Sequence, residues 1–172
     1  MSDETNGQTD TPVVIGWRER VDLPEWGLKR VRAKTDTGAR TSAIDVADIE
    51  ELEDGRIRFR VVYHHDPEEI TRWIYADTAR TSVVKPSHGE PQTRYVCETL
   101  VQIGKVKRRI EISLVSRKGM LCRMLLGRTA LDGLLVDATQ MYVLTDSKRK
   151  AKVIDPVLTH QADQDTQEGE NE

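Results

Sequence analysis

The residues best suited to do chemistry lie in one short stretch, Asp36-Thr37-Gly38-Ala39. A carboxylate can take a proton from a water that attacks a peptide carbonyl, provided that a second carboxylate shares its proton and acts as the acid. The sequence contains no second Asp-Thr-Gly and no Asp-Ser-Gly. Either two copies of the chain bring two such carboxylates together across a two-fold axis, or Asp36 only begins a turn, as this tripeptide commonly does.

The residues around Asp36 fit a tight loop at the end of a strand. Residues 28–35 alternate between apolar and basic side chains, which predicts a strand with one buried face. Gly38 permits a sharp change of backbone direction, and the Thr37 hydroxyl could hold the loop by a hydrogen bond. A second apolar run, residues 124–126, ends at Gly127 and precedes a short predicted helix at residues 129–131. By itself that run could be any buried strand that ends at a glycine.

The rest of the core also has the two-residue period of strands. Residues 95–103 and 106–115 predict a hairpin that turns at Gly104-Lys105, and Asp54-Gly55 predicts another turn. Residues 134–136 again read as a strand. The pattern predicts an all-β protein, a small closed barrel with one short C-terminal helix.

Charge divides the 172 residues into three parts. Residues 1–12 carry three acids and no base, residues 13–145 carry 22 bases and 19 acids, and residues 146–172 carry four bases and seven acids. We therefore predict a barrel domain at 13–145 between a disordered acidic tail at 1–12 and a disordered charged tail at 146–172. The acidic N-terminus lacks the features of a secretory signal, no apolar run is long enough to cross a membrane, and the two cysteines are expected as free thiols in a cytoplasmic protein.

Several motifs together resemble the retropepsin-like family often labelled "ATP-dependent zinc protease". They are residues 34–43, 80–84, 87–89, 94–96, 124–128 and 136–137, in that order, within about residues 13–145. One departure is Thr35, where the family usually has an apolar residue. The resemblance implies a retropepsin-like barrel, an aspartic peptidase that works as a homodimer, and an association with RimK-type ATP-grasp ligases, which add glutamate to proteins.

The resemblance also implies roles for individual residues. Asp36 and its symmetry mate would form the catalytic dyad, with Thr37 and Gly38 interlocking across the two-fold axis. Residues 80–96 are a candidate lid whose tip includes His88 and Gly89, and a plain surface loop is the alternative. Further candidates for substrate binding flank these motifs: Ala39, Arg40, Arg80, Arg94 and Arg128.

Arginines in these motifs favour an acidic or glutamylated peptide substrate, because guanidinium pairs with carboxylate in a two-pronged geometry. Each one taken singly could instead form an ordinary ion pair. The residues do not indicate a zinc site, because the spacing of the four histidines, His64, His65, His88 and His160, does not match that of zinc ligands. They do not indicate ATP binding either, because the sequence contains no phosphate-binding loop motif. No cofactor is expected.

Two other functions stay open. A barrel of this kind could bind acidic peptides or the ligase without cleaving them, as a regulator. A small barrel could also bind nucleic acid, but the mildly basic core and the few aromatic residues argue against that function.

Overall fold

The computed structural model describes residues 12–64, 70–85 and 89–145. The predicted tails lie outside these residues, except for Pro12, and the predicted domain boundaries stay a prediction. His65, His88 and His160 also lie outside the described residues. In this part of the chain, no helix has the length and apolar character needed to cross a membrane.

The chain forms ten strands and one short α-helix within the described residues. In order they are β1 Val13–Leu23, β2 Leu28–Thr35, β3 Ser42–Glu51, β4 Ile57–His64, β5 Ile70–Ala76, β6 Arg80–Val84, β7 Gln92–Ile103, β8 Val106–Val115, β9 Met124–Leu126, α1 Arg128–Leu131 and β10 Leu134–Met141. A 3-10 turn, Pro24–Trp26, joins β1 to β2.

Six of the strands close a barrel in the order β1, β2, β9, β3, β8, β7 and back to β1. The predicted small closed β-barrel with one short C-terminal helix is therefore confirmed. Strand β10 flanks β1 and β6 flanks β7. The second half of β3 leaves the barrel to pair with β4, and β4 pairs in turn with β5. The hairpin of β7 and β8 turns at Gly104, whose φ of 57° favours glycine.

The barrel interior holds the apolar side of each alternating strand. Val31 and Ala33 of β2 are fully buried, as their alternation with basic residues predicts. Trp26 and Phe59 meet edge to face with ring centroids 5.2 Å apart, which joins the core beneath β4 to the barrel. Cys97 and Cys122 are buried free thiols, as expected, and burial together with Asp77 raises the pKa of the Cys97 thiol to about 11.

Candidate active site

Asp36 lies where β2 ends against β9. These two strands are parallel, with Thr35 opposite Leu126, and the Asp36 backbone N–H donates to the Leu126 carbonyl at 2.9 Å. The Thr35 hydroxyl donates to the Trp17 carbonyl on β1 at 3.2 Å, so the polar residue at this position is satisfied within the sheet. The two sequence elements singled out by their spacing, residues 36–39 and 124–128, are therefore brought together.

The Asp36 carboxylate holds its own loop in place. Its Oδ1 accepts hydrogen bonds from the backbone N–H groups of Gly38, at 3.0 Å, and Ala39, at 3.1 Å. Within the described residues no hydrogen bond reaches Oδ2. Asp36 and Ala39 are half-buried, whereas Thr37 and Gly38 are exposed. One carboxylate oxygen is thus fixed by the loop, and the other remains available to a water or substrate.

Arg128 fastens the other side of this loop. Its Nη1 donates to the carbonyls of Thr37, at 3.2 Å, and Gly38, at 2.8 Å, while its backbone N–H donates to the Ala39 carbonyl at 2.8 Å. The Thr37 hydroxyl, expected to lock the loop, makes no hydrogen bond within the described part of the chain. Arg128 therefore holds the loop in this structure, because a guanidinium can reach two adjacent carbonyls at once. Its predicted contact with substrate stays a prediction.

Gly127 lets the helix approach the loop closely. A Cβ at this position would lie 2.6 Å from both the backbone carbon and the carbonyl oxygen of Thr41, and 2.8 Å from the Arg40 carbonyl oxygen. The Gly127 N–H donates to the Ser42 hydroxyl at 3.1 Å. Gly38 differs, since its nearest contact would be Asp36 Oδ1 at 3.3 Å and its φ is not positive. The glycine that packing requires most strictly is therefore Gly127.

We expect Gly127→Ala to destabilise the protein by about 1–3 kcal/mol, because the backbone of residues 40–41 must move. Urea unfolding followed by circular dichroism measures this loss. Gly119→Asn is the control, since Gly119 has open space around its Cβ position and a φ of 80° that asparagine tolerates. Equal stability of the two variants would contradict the close-packing role of Gly127.

The predicted substrate-binding arginines have different surroundings. Arg80 forms a two-pronged ion pair with Glu111, with its Nη2 at 2.9 Å from Oε2. Hydrogen bonds from Arg80 lower the pKa of the Glu111 carboxyl, and the positive charge of Arg40 acts in the same direction. Arg40 is exposed close to this pair, next to the Asp36 loop. Arg80 therefore already has Glu111 as its ion-pair partner, whereas Arg40 is exposed.

The candidate lid is an antiparallel hairpin of β6 and β7. Arg94 lies opposite Ser82 in this hairpin and is exposed, with no ion pair inside the described ranges. Gly89 is exposed near the tip. His88 lies outside the described residues, so its predicted substrate contact stays a prediction.

Two buried acids near the barrel ends were missed by sequence reasoning. Asp45 accepts a short hydrogen bond from Arg123, and Glu19 accepts hydrogen bonds from the backbone N–H groups of Gly16, Leu144 and Thr145. The sequence feature that could have revealed them is an acidic residue at a position where the alternation of the strand predicts a buried side chain. No group of three or more potential metal-ligating side chains occurs among the residues that the structure describes.

Comparison with known proteins agrees with this architecture. A crystal structure of a Legionella pneumophila protein of unknown function, a DUF785 protein, superposes with a TM-score of 0.62 at 25% identity and covers 78% of this chain and 100% of that one. Two curated relatives carry the name probable alpha-L-glutamate ligase. The Shewanella pealeana protein is 30% identical over 140 residues, covering 79% of this chain, and the Desulfotalea psychrophila protein is 31% identical over 144 residues, covering 80%.

This chain spans only 31% of the length of each of these two relatives. A family model described as retropepsin-like aspartic endopeptidase RimB matches residues 14–147, which confirms the resemblance predicted from the motifs. The chain therefore belongs to the RimB-like family of retropepsin-like aspartic endopeptidases.

Proposed function

We propose that this chain is an aspartic endopeptidase that acts as a homodimer on acidic or glutamylated peptide segments in the cytoplasm. The observation that carries the proposal is the carboxylate of Asp36, held by Oδ1 at the end of β2 while Oδ2 stays available. Membership of the RimB-like family supports the same chemistry.

The second carboxylate comes from a second copy of the chain. The exposed Thr37-Gly38 pair, backed by Arg128, presents a fixed surface through which two loops can meet at a two-fold axis. One Asp36 then carries the shared proton, because two adjacent negative charges repel.

The reaction uses these two groups as base and acid. The ionised carboxylate takes a proton from the water held between the pair, and the water oxygen attacks the peptide carbonyl carbon. The protonated carboxylate donates its proton to the carbonyl oxygen. In the second step the carboxyl that took the water proton donates it to the amine nitrogen, and the other carboxylate takes a proton from one hydroxyl of the tetrahedral species. The carbon–nitrogen bond breaks, the amine and the new carboxylic acid leave, and the pair returns to its starting protonation.

The substrate class follows from charge. Arg40 beside the loop and Arg94 on the hairpin are exposed and can pair with carboxylates. Two relatives named as probable alpha-L-glutamate ligases support a RimK-type ligase as the partner whose products this chain trims. The same relatives favour a second candidate function, in which the barrel binds the ligase or its glutamylated product without cleaving it.

Cleavage and dimerisation are tested together. A test protein carrying a run of C-terminal glutamates is incubated with the purified chain, and mass spectrometry detects new termini, while sedimentation reports the oligomeric state. We expect shortened products and a dimer. Binding of the glutamate run without any new terminus would overturn the peptidase proposal and support the binding function.

A further inference from the structure

The outer face of β1 and β2 carries five basic side chains, Arg18, Arg20, Arg30, Arg32 and Lys34, which we call the cationic face. In the register of the two antiparallel strands, Arg18 lies opposite Lys34 and Arg20 lies opposite Arg32. Like charges directly opposite one another destabilise a sheet. Two such like-charged pairs lie next to each other here. Because they lower the stability of the sheet, they suggest a function for these side chains.

No ion pair within the described part of the chain neutralises these residues. The acids on the same strands are engaged by the backbone: Glu19 is fully buried, and Asp22 Oδ1 accepts a hydrogen bond from the Arg30 N–H at 2.7 Å. The cationic face therefore keeps its positive charge.

Two of the guanidiniums are also partly withdrawn from water. The Arg18 guanidinium lies 4.5 Å from the centre of the Trp17 ring, and the Arg20 guanidinium lies 5.2 Å from that of Tyr142. The Nε atoms of Arg18 and Arg20 are buried without a hydrogen-bond partner in the described residues. Burial lowers the pKa of Arg20, and the nearby Arg30 and Arg32 add to this effect against an opposing contribution from Tyr142. Arg32 is half-buried beside them.

A cavity of about 260 Å³ opens at one end of this face. Arg20 and Arg30 line it together with Asp22, Leu144 and Thr145. At the other end Lys34 lies two residues before Asp36 on the same strand. The cationic face thus runs from a cavity to the candidate catalytic loop.

We propose that the cationic face is an accessory binding site for an extended acidic segment of the substrate, such as a run of consecutive glutamates. The inference rests on the proposed function for the identity of that substrate. Alternate side chains of an extended peptide recur about every 7 Å, the same period as Arg32 and Lys34 along β2. Guanidiniums with unpaired N–H groups suit carboxylates, since both partners bind in a planar, two-pronged geometry.

An acidic peptide fits this face better than a nucleic acid does. Single-stranded nucleic acids need stacking platforms, and the rings of Trp17 and Tyr142 are already covered by Arg18 and Arg20. The chain as a whole carries a net charge of -3, which disfavours a long polyanion more than a short acidic run.

The test measures binding in the Asp36→Asn background, so that it does not depend on cleavage. A fluorescent peptide ending in glutamates is titrated by anisotropy against this variant and against the same protein with Arg32→Gln and Lys34→Gln. We expect the two additional substitutions to weaken binding at least about tenfold, because two charge-assisted contacts are lost. A peptide ending in glutamines is expected not to bind.

A control with the same change of charge is Arg56→Gln with Lys118→Gln, at exposed positions outside the cationic face. It should leave binding unchanged. Arg32→Gln should also melt no lower than its parent, since it relieves the repulsion with Arg20. Equal binding by the cationic-face variant and its parent, or tighter binding of an RNA oligonucleotide than of the glutamate peptide, would overturn the inference. Absence of cleavage by the wild-type chain, with binding to the cationic face intact, would reject the peptidase proposal alone.

Discussion

Asp36→Asn is expected to reduce cleavage of a glutamate-tailed protein by on the order of 10³-fold or more, because an amide cannot accept the proton that the attacking water gives up. The amide oxygen of asparagine can still accept the hydrogen bonds that Asp36 Oδ1 receives from Gly38 and Ala39. The loop should therefore keep its shape, and thermal stability and dimerisation should not fall. Initial rates of product formation and the melting temperature of the same sample measure the two effects.

Asp54→Asn is the matched control for this variant. Asp54 Oδ1 accepts a hydrogen bond from the N–H of Arg56 at 3.0 Å, the same two-residue spacing that joins Asp36 to Gly38. Asp54 is exposed in the turn between β3 and β4. Cleavage by Asp54→Asn should match that of the wild type. Cleavage by Asp36→Asn at a similar rate would contradict the assignment of Asp36 as the catalytic carboxylate.

The alternation of apolar and polar residues, together with the turn residues, was sufficient to predict much of the barrel. The alternation in residues 28–35 placed β2 with its observed bounds, and the glycine at 104 placed the turn between β7 and β8. The short helix expected after Gly127 is also present, at Arg128–Leu131. These features depend on residues close together in sequence, which is why periodicity and turn chemistry predict them.

The surroundings of the charged residues could not be predicted in this way. Nothing in the local sequence indicated that Arg80 pairs with Glu111 or that Arg128 holds the loop carbonyls, and a role of either residue in substrate binding stays a prediction. The opposition of Arg20 and Arg32 depends on the β1–β2 register, which shifts between Val21 and Leu23. Contacts between distant strands are set by register, and a slip of one residue would exchange the faces.

The same limit explains why the buried pair of Asp45 and Arg123 was missed, since these residues are 78 positions apart. Asp45 lies on β3 and is 2% exposed, and Arg123 precedes β9 and is 4% exposed. Asp45 Oδ2 accepts from Arg123, while Oδ1 accepts from the Arg117 N–H at 2.5 Å. One carboxylate thus fixes the chain before β9, the strand that supports the Asp36 loop.

Asp45→Ala is expected to lower the free energy of unfolding by about 3–5 kcal/mol, because it leaves the Arg123 guanidinium buried without a counter-charge. Urea unfolding monitored by circular dichroism measures the loss. Asp48→Ala, three residues further along β3, removes the partner of Arg60 from an exposed pair and should cost less than about 1 kcal/mol.

The combination Asp45→Leu with Arg123→Met separates loss of the charge pair from loss of packing. Both charges are then absent, and the double variant should be clearly more stable than Asp45→Ala, because no unpaired charge remains in the interior. If Asp45→Ala cost no more than Asp48→Ala, the pair would not support β9. A destabilised β9 would also move the Leu126 carbonyl that binds the Asp36 N–H, so Asp45→Ala should lose cleavage activity even at temperatures where it remains folded.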